Sequence, residues 1–189
     1  MLPIQRKRGL FMQTSNKIRE LVMAALLTAL AIVIPLFMPK LPVPQPFSVT
    51  PASHLAVILS MFISPFTAIC TVIGSTIAFF VALGPVVAMR AFSHLLFALL
   101  GCYLIKKRYN LFITILLTGI LHAIGEIIVV SIFACFGMAS GTAQFVWGIT
   151  GGITFLHHCF DFVISMVVFF ALKSAKLLNT PITLKKFKG

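Results

Sequence analysis

The chain has 189 residues, of which 60% are hydrophobic and 10% are charged, and its mean hydropathy is +1.10. A soluble domain does not carry so many apolar side chains, whereas long uncharged runs are typical of segments that cross a bilayer. The formal net charge of +12 comes mainly from basic residues between or outside those runs. That distribution follows the positive-inside rule and excludes a soluble nucleic-acid-binding domain, so we predict an all-α integral membrane protein.

The N-terminal residues 1–16 are basic and polar, and they predict a cytoplasmic lead-in without a cleavable signal peptide. The first predicted helix covers 17–37, where Ala25 and Ala29 lie one helical turn apart. Such a pair of small residues lets another helix approach closely, and its spacing alone favours packing within the protein. The proline-rich residues 38–50 predict an extended outer loop that could cover a site as a lid.

Prolines and glycines divide the remainder of the chain into further helices. The predicted helices are a short one at 51–63, then 65–83, 85–105, 110–136 and one from 145 or 147 to 178, followed by a basic tail at 179–189. Counting the short helix, they predict one compact domain over 1–189 with six transmembrane helices. An even number of spans places both termini on one side, and the basic residues place that side in the cytoplasm.

Ionisable side chains recur at a spacing of four on three successive predicted helices. They are Arg90 and His94, then His122 and Glu126, then His157 and Asp161 with His158 beside them. Residues four apart share a helix face, and a charged group facing lipid costs roughly 2.5–3.5 kcal/mol, so these faces should point inward. We expect one outward-opening pocket for a small polar ligand, with Trp147 either stacking on that ligand or anchoring the membrane interface.

The charges of this pocket leave several interpretations open. One arginine against two carboxylates leaves one negative charge, which a histidine proton or a ligand with a basic nitrogen would neutralise. Arg90 could instead pair with Glu126 or Asp161 and simply hold three helices together. For His54, which follows Ser53, packing or capping of the loop is favoured over contact with a ligand.

With these features the chain resembles the substrate-binding S components of energy-coupling factor (ECF) transporters, which import B vitamins and their precursors. The resemblance depends on the chain length, six spans, a long first outer loop and the pair Ala25 and Ala29. It implies a prokaryotic plasma-membrane subunit that is not an enzyme and binds a vitamin. The two alanines would dock on a transmembrane coupling subunit driven by two ATPase subunits. No GxxxxGK[ST] motif occurs, so the chain should hold no nucleotide itself.

Within that family, the segment SVTPASHLAVILSMFISP is similar to members that handle small heteroaromatic vitamins. The surplus of acid favours a substrate of the hydroxymethylpyrimidine or pyridoxine type, whereas the carboxylate of nicotinate would suit Arg90. No cofactor, metal or nucleic acid is expected.

Two other classes of function remain open. A proton-coupled secondary transporter could use the buried acids and histidines, although the chain shows no internal repeat of the kind common in such carriers. A membrane metalloenzyme could bind a metal through the same side chains, but the spacings HxxxE and HHxxD are loose and an arginine lies close by.

Overall fold

The computed structural model describes residues 3–39 and 50–176, with side chains from residue 16 onward. These residues contain helices and turns but no strand, which confirms the all-α prediction for this part of the chain. In order, the helices are α1 (Pro3–Phe37), α2 (Leu55–Met61), α3 (Pro65–Leu83), α4 (Pro85–Lys106) and α5 (Leu111–Cys135), and then a π-helical segment (Gln144–Ile153) that continues directly into α6 (Thr154–Ser174).

Local sequence signals set the ends of α3, α4 and α5. The Ser64 hydroxyl accepts a hydrogen bond from the Thr67 N–H, and Pro65 occupies the first turn of α3, where a missing N–H is tolerated. Gly84 separates α3 from α4 with φ of 84°, a conformation that glycine adopts without strain. Asn110 caps α5 by accepting a hydrogen bond from the backbone N–H two residues on. Each predicted end therefore agrees with the structure within one residue.

Three predicted helices have other bounds in the structure, and one of them is the last helix, which ends at Ser174 rather than at 178. Helix α1 begins at Pro3 rather than at residue 17, and no proline interrupts the chain between Pro3 and Pro35. The part of α1 with described side chains, Asn16–Phe37, is long and apolar enough to span a bilayer. Helix α2 is shorter than the predicted 51–63, because residues 51–54 form a turn instead of a helix.

The chain is a multi-pass membrane protein. Within the described residues, the segments long and apolar enough to span a bilayer are Asn16–Phe37, Pro65–Leu83, Pro85–Lys106, Leu111–Cys135 and Gln144–Ser174. Helix α2 is only about 10 Å long and cannot cross by itself. It packs inside the bundle, with His54 before its start against His94 and Phe62 after its end against Phe169. Helix α2 thus runs in the same direction as α4 and α6. A shortened second membrane span would have this direction. Six spans and cytoplasmic termini stay predictions.

Several predictions concern residues outside the described part of the chain. They include the lid over 38–50, of which only residues 38, 39 and 50 are described, and the basic tail at 179–189. The single domain over 1–189 is likewise a prediction, as is the cytoplasmic position of residues 1–16.

The apolar core occupies the end of the bundle toward which α2 runs. Phe97 of α4 and Phe162 and Phe169 of α6 are fully buried there, together with Val57 and Ile58 of α2. The polar side chains of α4 and α6 precede these phenylalanines along each helix. The helices therefore bring their polar faces together one or two turns away from an apolar core that fixes their spacing.

Candidate ligand-binding site

The polar faces of α4, α5 and α6 meet in the interior, together with the turn that precedes α2. Arg90, His94, His122, Glu126 and Asp161 are each at most 4% exposed. All of them except Asp161, which lies behind, line one small hollow. The residues that line it are Ser53, His54, Phe79, Val87, Arg90, Ala91, His94, His122, Glu126, Thr154 and His157.

Glu126 is one wall of this hollow, and its two oxygens have different partners. Arg90 donates from Nε and Nη2 to Oε2, at 3.1 and 2.7 Å, and the hydroxyl of Thr154 donates to the same oxygen at 2.6 Å. The other oxygen, Oε1, lies 3.3 Å from His122 Nε2 and 3.6 Å from His94 Nε2. One ion pair therefore links α4 to α5, and a hydroxyl of α6 completes it. The attraction between the two charges offsets part of the cost of removing them from water.

Asp161 lies behind the hollow and clamps the turn before α2. Its Oδ1 accepts a hydrogen bond from the Ala52 N–H at 2.9 Å, and its Oδ2 accepts one from the His54 N–H at 3.0 Å. The His54 ring adds a third contact through Nδ1 at 2.9 Å. Ala52 has φ of 61°, an uncommon conformation for a non-glycine residue, and its N–H is held by this carboxylate. Asp161 thus positions a turn and a ring instead of facing the hollow.

His54 lies at the centre of a group of histidines, which the sequence did not predict. Its ring centroid lies 4.7 Å from that of His94, 4.6 Å from that of His122 and 4.9 Å from that of His157. Its hydrogen bond to Asp161 joins residues 107 positions apart. No local pattern signals such a contact. The buried, hydrogen-bonded ring agrees with the packing that was favoured for His54, although the ring also lines the hollow.

Other predicted residues do not line the hollow. His158 is fully buried behind it, with its Nε2 3.0 Å from the Thr118 hydroxyl and its Nδ1 3.2 Å from His122 Nδ1. It therefore supports His122 from behind. Trp147 is 68% exposed in the π-helical segment, which agrees with an interface anchor and places it outside the lining of the hollow.

An apolar side of the hollow was also missed. Phe79 of α3 packs with Val87 and Ala91 of α4 in a small buried cluster, and all three line the hollow. Their residue types are common on every helix of this chain, so the sequence offered no reason to select them. The hollow thus combines an apolar side with imidazoles, a carboxylate and a guanidinium.

The described residues define a multi-pass helical membrane protein with a small, mostly polar hollow between its helices. Over 132 residues, the chain is 36% identical to the niacin transporter NiaX of Lactococcus lactis subsp. cremoris (strain MG1363). The match covers 66% of this chain and 60% of that relative. The chain thus spans less than two thirds of the length of that transporter. No family model matches the chain, and no solved structure matches it significantly.

Proposed function

We propose that this chain is the substrate-binding S component of an ECF importer in a prokaryotic plasma membrane, and that its substrate is niacin. The identity of 36% to a niacin transporter carries the proposal. In this role the chain is not an enzyme. It binds the vitamin, while a coupling subunit and two ATPase subunits supply the energy for transport.

The composition of the hollow supports nicotinate as the ligand. A flat pyridine ring can lie between the apolar side that contains Phe79 and the imidazoles of His94 and His122. Arg90 lines the same hollow, and a guanidinium suits a carboxylate because its N–H groups match both carboxylate oxygens. With five N–H donors, one guanidinium can serve the ligand carboxylate while it keeps its bond to Glu126.

The order of preferred substrates therefore changes. The surplus of acid favoured a substrate of the hydroxymethylpyrimidine or pyridoxine type over niacin. Both oxygens of Asp161, however, accept hydrogen bonds from the protein, and Glu126 is paired with Arg90. No carboxylate is therefore left to serve as the main partner of a basic ligand, and the relative's substrate is the better candidate.

Ligand binding by the purified chain tests the proposed substrate. Radiolabelled nicotinate should bind at one site, and excess hydroxymethylpyrimidine or pyridoxine should displace it poorly. Arg90→Lys keeps the charge but loses the planar fork, so nicotinate affinity should fall by at least about tenfold. Arg108→Lys is the matched control, because Arg108 is exposed in the turn after α4. Equal or tighter binding of pyridoxine, or unchanged affinity in Arg90→Lys, would contradict the proposal.

The exposed alanines of α1 support the proposed docking on a coupling subunit. Ala24 and Ala31 are buried against the bundle, whereas Ala25 and Ala29 are exposed on the other side of the helix. Ala29→Trp should therefore block assembly with the coupling and ATPase subunits while nicotinate still binds. Ile73→Trp places the same bulk on an exposed position of α3 and should assemble normally. Normal assembly of Ala29→Trp would remove Ala29 from the docking surface.

A further inference from the structure

We infer that the imidazoles of His54, His94 and His122 form a binding site for one divalent transition-metal ion, such as Zn²⁺, open to the hollow. One ring nitrogen from each of the three lies within 4.8 Å of the others. The residues come from the turn before α2, from α4 and from α5, and each is at most 4% exposed. Imidazole nitrogen is a preferred ligand of Zn²⁺, Cu²⁺ and Ni²⁺, and three histidines with one open position form a known type of zinc site.

The missing hydrogen-bond partners of the His94 ring are the first argument for a bound ion. Both of its ring nitrogens are buried, and neither has a hydrogen-bond partner among the described residues. The carboxylate oxygen near its Nε2 lies 3.6 Å away, which is beyond hydrogen-bond distance. A buried polar group without a partner costs about 1–3 kcal/mol, and coordination of an ion would remove that cost for one of the two nitrogens.

The other two imidazoles are already oriented as metal ligands usually are. Asp161 holds Nδ1 of His54, which leaves Nε2 as the ligand atom and forms the carboxylate–histidine arrangement common behind bound zinc. His122 has His158 at 3.2 Å from one ring nitrogen and Glu126 at 3.3 Å from the other. Whichever nitrogen of His122 binds the ion, the other keeps a polar partner.

A second group of possible ligands, His54 with His157 and Asp161, is less suitable. Its ligand atoms are equally close, but both oxygens of Asp161 accept backbone hydrogen bonds from the turn before α2. Coordination through Asp161 would compete with the bonds that hold His54 in place.

The three histidines of the first group would need to move only modestly to bind one ion. Ligand nitrogens about 2.0–2.1 Å from zinc lie roughly 3.3 Å apart, and the His94 ring can turn toward the others without breaking a hydrogen bond.

The charge of the site is a further argument, and it connects the ion to the proposed substrate. With neutral imidazoles, the buried Arg90, Glu126 and Asp161 sum to one negative charge, which disfavours an anionic ligand. A divalent ion reverses that sign, and one nicotinate then makes the site neutral. The open coordination position would hold the pyridine nitrogen while the carboxylate meets Arg90. This role in ligand binding rests on the proposed function, whereas the ion site does not.

Titration with Co²⁺ alone tests the ion site. The chain is purified with an affinity tag that contains no histidine, treated with a chelator, and dialysed. We expect one equivalent of Co²⁺ to bind, with the intense visible bands of tetrahedral coordination. His94→Leu and His122→Asn should each weaken binding by about 100-fold or more. His157→Gln, which alters only the second group, should bind as the parent does.

The folded state of each variant is checked by its elution profile and its thermal unfolding. Since His94 makes no hydrogen bond, His94→Leu should fold and so remain informative. No binding at one equivalent, unchanged Co²⁺ affinity in His94→Leu, or an equal loss in His157→Gln would overturn the assignment of these three ligands.

Nicotinate affinity with and without Zn²⁺ then tests the role of the ion in ligand binding. Zn²⁺ should tighten nicotinate binding by at least about tenfold, and His94→Leu should remove that gain. Equal affinity in the metal-free and Zn²⁺-loaded protein would overturn this role and leave the proposed function standing. If nicotinate binds neither form, the proposed function fails, and the Co²⁺ titration still decides the ion site.

Discussion

The two buried carboxylates of the pocket region differ in what they hold. Glu126 is part of the wall of the hollow, and its partners are side chains of α4, α5 and α6. Asp161 lies behind the hollow, and its partners include two backbone N–H groups of the turn before α2. Both acids lie on the same kind of polar helix face. The comparison shows that a shared pattern can place one carboxylate on the wall of a hollow and make another a structural clamp.

The largest expected effect is that of Arg90→Met on the Glu126 region. This variant leaves Glu126 charged, buried and without its cation, which should lower the free energy of unfolding by about 3–5 kcal/mol. Denaturation of the purified protein in detergent measures the change. Arg90→Met combined with Glu126→Leu removes both charges and should recover part of the loss. If the single variant is as stable as the parent, the ion pair is not what holds this region together.

An intermediate and more local effect is expected from Asp161→Asn. The amide cannot accept at both positions and carries no charge, and each lost hydrogen bond to a charged group is worth about 1.5–3 kcal/mol. Hydrogen exchange should therefore speed up first at residues 50–61, while the rest of α6 stays protected. Arg90→Met is the comparison variant, since the hydrogen exchange that it speeds up should not be confined to this turn. Uniform loss of protection in Asp161→Asn would contradict a local clamp.

The smallest expected effect is that of Trp147→Ala on ligand binding. The side chain is 68% exposed and does not line the hollow, so nicotinate affinity should change by less than about twofold. Phe79→Ala is the matched comparison, because it removes an aromatic ring from the apolar side of the hollow and should weaken binding clearly. A loss in Trp147→Ala as large as that in Phe79→Ala would show that Trp147 stacks on the ligand after all.

Much of the fold could be predicted because its signals are local. The capping residues Ser64 and Asn110 and the break at Gly84 act within a few residues of the helix ends that they set. The start of α2 at Leu55, after a turn, could not be predicted in this way. The turn before it depends on contacts with Asp161, which lies more than 100 positions away in the chain.

The amino-acid sequence by itself determined that the protein is built from membrane helices and that the polar faces of α4, α5 and α6 turn inward. Both follow from local rules, since lipid disfavours charge and residues four apart share a helix face. Only the tertiary structure decided that Arg90 pairs with Glu126 while Asp161 holds His54 at the centre of the histidines. The choice between two acids on different helices depends on where α2 packs, and helical periodicity carries no information about that position.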